Sequence, residues 1–121
     1  MIKGIGVDVV DITRLERVAE EWQHRFLRKI FTPLEITYCE SKPMPIQHFA
    51  VRFAAKEAFA KAIATGWNHA FRWHDVEIEN DVTGKPIIKL HGKLEQVFFP
   101  NIIHLSLSHT RTSAVAVVVL E

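Results

Sequence analysis

Residues 52–62 read RFAAKEAFAKA, and the helix they form decides the fold. On a wheel of 3.6 residues per turn, Ile46, Phe49, Phe53, Ala60 and Ala64 share one stripe. Phe59 and Ile63 widen the apolar surface, and Glu57 falls inside the stripe. A helix apolar nearly all round is a buried one. Its four charges, Arg52, Lys56, Glu57 and Lys61, are then costly unless something compensates them. An i,i+4 pair between Glu57 and Lys61 would contribute only ~0.3 kcal/mol, and Arg52 and Lys56, also four apart, would repel slightly. Two readings follow. Either these are structural ion pairs, or Arg52, Lys56 and Lys61 meet a polyphosphate while Glu57 meets a metal.

Toward the N-terminus, Lys42-Pro43-Met44-Pro45 interrupts the chain, and Pro45 suits the first position of a helix over about 46–65, stopped by Gly66. Thr32-Pro33-Leu34-Glu35 is a capping box with Pro at N1 and predicts a helix ending near Ser41. Residues 25–31 form a short helical piece. Thr13-Arg14-Leu15-Glu16 repeats the capping-box pattern and predicts a helix from Thr13 to about His24. Residues 2–12 read as a strand whose glycines suggest close approach by another backbone or a ligand.

Toward the C-terminus, Val76–Glu79 and Pro86–Leu90 flank turn chemistry at 80–85, giving a hairpin. A short helix follows at 92–98. Ile102–Ser108 and Ser113–Leu120 make a second hairpin, and the continuous Val117-Val118-Val119 predicts a strand covered on both faces. With no repeat or linker, the expectation is one domain over 1–121 of class α+β, an antiparallel sheet with helices packed on one face.

Bulk properties exclude several functions. Net charge is +1, so no global field draws the chain to nucleic acid or membrane. Hydrophobic residues at 48% and charged residues at 24% are ordinary for a globular protein. Cys39 stands alone, so nothing asks for an oxidising compartment. The N-terminus has an acid at residue 8 and no apolar core of a signal peptide, and no run is long enough to span a membrane. These features predict a cytoplasmic protein.

In GIGVDVV (4–10), alternation puts Gly4, Gly6 and Asp8 on one side of the strand and Val7 and Val9 on the other. Aspartate is depleted in strands, so Asp8 is either a metal ligand or the cap of a loop. Gly4-Ile5-Gly6 lacks the third glycine and the following helix of a dinucleotide fingerprint. With Glu57, Asp8 would supply the two carboxylates that Mg²⁺ commonly takes alongside waters and phosphate oxygens. His109 ends a strand beside a turn. Ser108 points to the opposite face, which argues against a serine hydrolase dyad. Arg14 and Arg17 open a helix whose dipole prefers anions, with Arg25, Arg28 and Lys29 close behind. They form either a docking face for an acidic partner or an ordinary solvated face.

Taken together, GIGVDVVDITR, FTPLE, RFAAKEAFAKA, GKP at 84–86 and LSLSHT resemble the short bacterial holo-acyl-carrier-protein synthases, in order and approximate spacing, over nearly the whole chain. The resemblance implies Mg²⁺-dependent transfer of 4′-phosphopantetheine from coenzyme A to a serine of acyl carrier protein in fatty acid biosynthesis, releasing adenosine 3′,5′-bisphosphate. It implies Asp8 and Glu57 as metal ligands and Arg52 and Lys61 as phosphate contacts, with His109 near the nucleotide's 3′-phosphate. It places Gly84, Lys85 and Pro86 along the adenine and assigns Arg14, Arg25 and Arg28 to the carrier protein. It also implies a homotrimer with active sites between subunits. Two other functions compete: a non-catalytic module that docks an acidic helix, and a nucleotide-phosphate hydrolase using the same carboxylates.

Overall fold

The computed structural model describes residues 1–22, 24–64 and 71–121. Strand β1 (Gly4–Asp11) leads into helices α1 (Ile12–Trp22), α2 (His24–Ile30), α3 (Pro33–Glu40) and α4 (Pro45–Ala62). A 3₁₀ turn at Trp73–Asp75 precedes β2 (Val76–Asn80) and β3 (Pro86–Leu90), then α5 (Gly92–Phe98), β4 (Ile103–His109) and β5 (Ser113–Leu120). The sheet order is β1-β5-β4, antiparallel throughout, and β2-β3 is a separate hairpin. The α+β class expected from the pattern is the one observed. The expected stop at Gly66 lies outside the described residues; α4 ends at Ala62 with Ile63 as its cap.

The glycines of β1 exist for α4. A Cβ on Gly6 would stand 1.8 Å from the Ala58 carbonyl oxygen, and one on Gly4 would stand 2.1 Å from that of Ala62. The backbones therefore meet without side chains between them, and the approach is by a helix rather than a ligand. The alanines of α4 serve the same contact: Ala54, Ala55 and Ala58 are fully buried, as are Ala114, Ala116 and Val118 of β5. Small residues on both sides let the helix lie flat on the sheet, which fixes the position of every other side chain on α4.

Two local expectations are corrected. Helix α1 begins at Ile12, not after Thr13, and its cap is Asp11, whose Oδ1 accepts from the Arg14 backbone N–H at 3.1 Å. Aspartate caps at least as well as threonine, and starting two residues earlier buries Ile12 while Thr13 stays exposed. The second concerns β5, which is covered on one face only. Val117 is 38% exposed and adjoins Ile5, Val7 and Val9 of β1, exposed by 62, 50 and 67%. Continuous apolar sequence signals two-sided burial, yet among the described residues nothing occupies the outer side. The capping box at Thr32 and Glu35 forms reciprocally, as the pattern requires.

Candidate active site

Asp8 leaves β1 on the same face as Gly4 and Gly6, one residue pair beyond the point where α4 touches the strand. Glu57 leaves α4 toward it. Both line an open cavity of about 470 Å³, together with Arg14, Leu15 and Val18 of α1, Phe26 of α2 and Phe53 of α4. Burial raises the Glu57 pKa first, the negative charge of Asp8 raises it further, and Lys61 works against both. The two carboxylates thus feel each other. Lys61 does not pair with Glu57 along the helix; its Nζ reaches across to Asp8 Oδ1 and to the Val7 carbonyl oxygen, both at 3.0 Å. Two like charges facing one cleft suit a divalent cation that keeps waters and phosphate oxygens in its remaining positions. Among the described residues no cluster of three or more His, Cys, Asp and Glu side chains could hold a metal, so such an ion would draw on this pair.

Lys56 leaves the set of phosphate-facing cations. It is fully buried, paired with Glu35 Oε1 at 2.8 Å, and donates to the backbone carbonyls of Trp73 at 2.8 Å and Val76 at 2.7 Å. All three ammonium protons are used inside the protein. Glu35 in turn accepts from the backbone N–H groups of Thr32 and Ile78. Burial depresses the Lys56 pKa, and the Glu35 carboxylate resists that shift. The structural reading of this cation is therefore correct, and its partner went unseen because Glu35 was read only as a helix cap.

Arg52 faces away from Asp8 and Glu57, about 140° around the helix from Glu57. It is 3% exposed and donates through Nη2 to Asn80 Oδ1 at 2.8 Å. Its guanidinium lies 4.2 Å from the centre of the Tyr38 ring. His109, exposed at the end of β4, belongs to this side, since its charge acts on His48 along with those of Arg52 and Lys42. The chain thus carries two separate clusters, a carboxylate cluster with Lys61 and a cationic cluster with His109.

Gly84 adopts φ +88° at the exposed tip of the β2–β3 hairpin, where Asp81 Oδ1 accepts from the Thr83 and Lys85 N–H groups. Pro86 opens β3. Of the expected docking residues, Arg14 lines the carboxylate cavity. Arg25 is exposed and lies 5.9 Å over the Trp22 ring, and Arg28 is exposed with its carbonyl held by His74. Asn80 and Tyr38, the partners of Arg52, carried no sequence signal because each comes from a different element.

The family model described as the 4′-phosphopantetheinyl transferase superfamily matches residues 4–118. A holo-[acyl-carrier-protein] synthase of Geobacter sulfurreducens is 50% identical, over 100% of this chain and 98% of its own. Among solved structures, the holo-[acyl-carrier-protein] synthase of Neisseria meningitidis superposes with a TM-score of 0.92 at 35% identity, covering 100% of this chain and 99% of that one. That of Bacillus anthracis, solved in complex with CoA (3′,5′-ADP), gives 0.83 at 36% identity, covering 100% and 97%.

Proposed function

The chain belongs to the 4′-phosphopantetheinyl transferase superfamily, and from that membership we propose that it transfers the 4′-phosphopantetheine arm of coenzyme A to a serine hydroxyl of apo acyl carrier protein. The observation that carries this reading is the convergence of Asp8 and Glu57, remote in sequence, on one cleft lined by Arg14, with Lys61 paired to Asp8.

In the reaction, the carrier serine Oγ attacks the phosphorus that bears pantetheine. The bond from that phosphorus to the bridging oxygen breaks, adenosine 3′,5′-bisphosphate leaves, and the serine proton passes to a carboxylate or to water. Mg²⁺ held by Asp8 and Glu57 would neutralise charge on the diphosphate oxygens. Lys61, half-exposed beside Asp8, adds a positive charge on the leaving side. The apolar wall of Leu15, Val18, Phe26 and Phe53 suits the uncharged pantetheine arm. Arg14 at the mouth, with Arg25 and Arg28 on the same helical layer, offers cations to an acidic carrier.

The assembly we propose is a homotrimer. The exposed side chains of Ile5, Val7, Val9 and Val117 lie together on one face of the sheet, and a contiguous apolar patch of that kind suits an interface. The separation of the carboxylate and cationic clusters fits a coenzyme A bound between two copies, its diphosphate on one and its nucleotide on the other, beside Arg52, His109 and the Gly84–Pro86 turn. No helix among the described residues is long and apolar enough to cross a membrane. A lone buried cysteine suits the reducing cytoplasm, where we place the reaction.

Incubation with apo carrier protein, coenzyme A and Mg²⁺ should raise the intact mass of the carrier by one phosphopantetheine, and EDTA should prevent it. The Glu57→Gln variant should lose transfer by more than about a hundredfold, as removal of a charge-stabilising group does, with an unchanged circular dichroism spectrum. A carrier left unmodified by the wild-type protein, or phosphate released without carrier, would reject the transferase reading, the latter in favour of a hydrolase.

A further inference from the structure

Among the described residues β2 pairs only with β3, so its other edge has no strand beside it. Side chains of α3 and α4 serve that edge instead. The Val76 carbonyl accepts from the Lys56 ammonium at 2.7 Å, and the Ile78 N–H donates to Glu35 Oε2 at 2.8 Å. Lys56 and Glu35 are themselves paired, so one ion pair supplies the donor and the acceptor that a neighbouring strand would offer. Between these two residues stands Glu77, 8% exposed and unused by the chemistry derived above. Its Oε2 accepts from the Thr32 hydroxyl, and its Oε1 lies 3.0 Å from Nε2 of His91, which links β3 to α5. Burial pushes the Glu77 carboxyl up, but the bonds from Thr32 and His91 outweigh it and hold the pKa below its ordinary value. A carboxylate only accepts, so the facing imidazole nitrogen carries a proton. Further along β2, Asn80 Oδ1 accepts from Arg52 Nη2 at 2.8 Å, and its Nδ2 donates to the Gly84 carbonyl at 2.9 Å. One amide thus ties Arg52 to the turn of the hairpin.

We propose that Glu77 is a positioning residue for the transfer. Held by Thr32 at the cap of α3 and by His91 beyond β3, it fixes where the β2–β3 hairpin sits along α3. That placement sets Asn80, and through it Arg52 and the Gly84–Pro86 turn. The inference rests on the proposed function, which puts Arg52 and that turn beside the nucleotide of coenzyme A. A strand backbone presents the same groups to one edge every second residue, so the ion pair alone does not single out one register. A buried carboxylate that finds both its donors at one position does. Glu77 touches neither coenzyme A nor the reacting atoms in this reading, so its loss weakens nucleotide binding and spares the chemistry.

Steady-state transfer, measured well below the melting temperature, separates positioning from stability. Glu77→Ala should raise the KM for coenzyme A about fivefold, the effect of loosening one link in a packed network, and leave kcat within about twofold. Glu77→Gln keeps an acceptor for Thr32 and should recover most of that loss. In proton–nitrogen correlation spectra without nucleotide, Glu77→Ala should shift the Gly84 amide and the Arg52 Nε–H signal and leave the Asp8 amide, on the separate sheet, in place. Should Glu77→Ala not fold, His91→Gln carries the same test at a more exposed position, with KM raised about twofold. A folded variant of either kind with wild-type KM and unmoved Gly84 and Arg52 signals would overturn the proposal and leave Glu77 a stabilising contact only. Absence of transfer by the wild-type protein would instead overturn the function proposed above, and the positioning role with it.

Discussion

Glu57 and Lys56 are neighbours on α4 with opposite fates. Lys56 turns inward to a complete set of acceptors, while Glu57 turns to a cleft where its nearest charged company includes another carboxylate. A carboxyl whose folded pKa is raised contributes stability that is present at low pH and lost as pH rises through that pKa. Removing the charge should therefore help the metal-free fold. In EDTA, Glu57→Gln should melt slightly higher than wild type near neutral pH, and the gain should vanish as the pH falls below the raised Glu57 pKa. A lower melting temperature at neutral pH would show that the carboxylate is held by a favourable partner instead. The same substitution abolishes transfer in the function proposed above, so stability and activity should part at this residue. Sequence pattern singled out Glu57 because a charge on an apolar stripe is conspicuous. The same pattern gave Lys56 to the wrong side, because a wheel shows direction around a helix and not what waits there.

Among elements, the contact of β1 with α4 carries the site. Gly6→Ala would put a methyl group into the Ala58 backbone oxygen, which cannot rotate away. We expect a loss at or beyond the upper end of the ~1–3 kcal/mol seen for overpacked interiors, measurable by chemical denaturation. Native-like stability would mean that β1 and α4 can slide apart, and Asp8 and Glu57 with them. The second fastening is the buried ion pair between α3 and α4. Glu35→Gln strands the Lys56 ammonium in a dry interior, and we expect a cost of about 3–5 kcal/mol. A cost below ~1 kcal/mol would show that water reaches Lys56. Nearly every element was legible: the capping box at Thr32, Pro45 as a helix start, and both hairpins follow from local chemistry that needs no partner. The start of α1 differs from the expectation because Asp11, two residues before Thr13, caps the helix, and that choice depended on burying Ile12.

For the whole molecule, the bare outer face of the β1-β5-β4 sheet and the division of the site belong together. Ile5→Lys alters a side chain that is 62% exposed in one chain, so the isolated fold should change by no more than about 0.5 kcal/mol. In a trimer closed through this face the same lysine would be buried unpaired. We expect sedimentation as a monomer, with transfer lost because the two clusters no longer meet. A folded trimer with full activity would place the interface elsewhere. The sequence by itself determined the elements, the room that the glycines of β1 leave for a close approach, and the identity of the chemically unusual side chains, since each depends on neighbours within a few residues. Only the tertiary structure decided which charges share a cleft, which are spent on the interior, and that Asn80 and Tyr38 receive Arg52. The reason is physical: a charge's role is set by the dielectric and the partners around it, and those partners come from elements that sequence order leaves far apart.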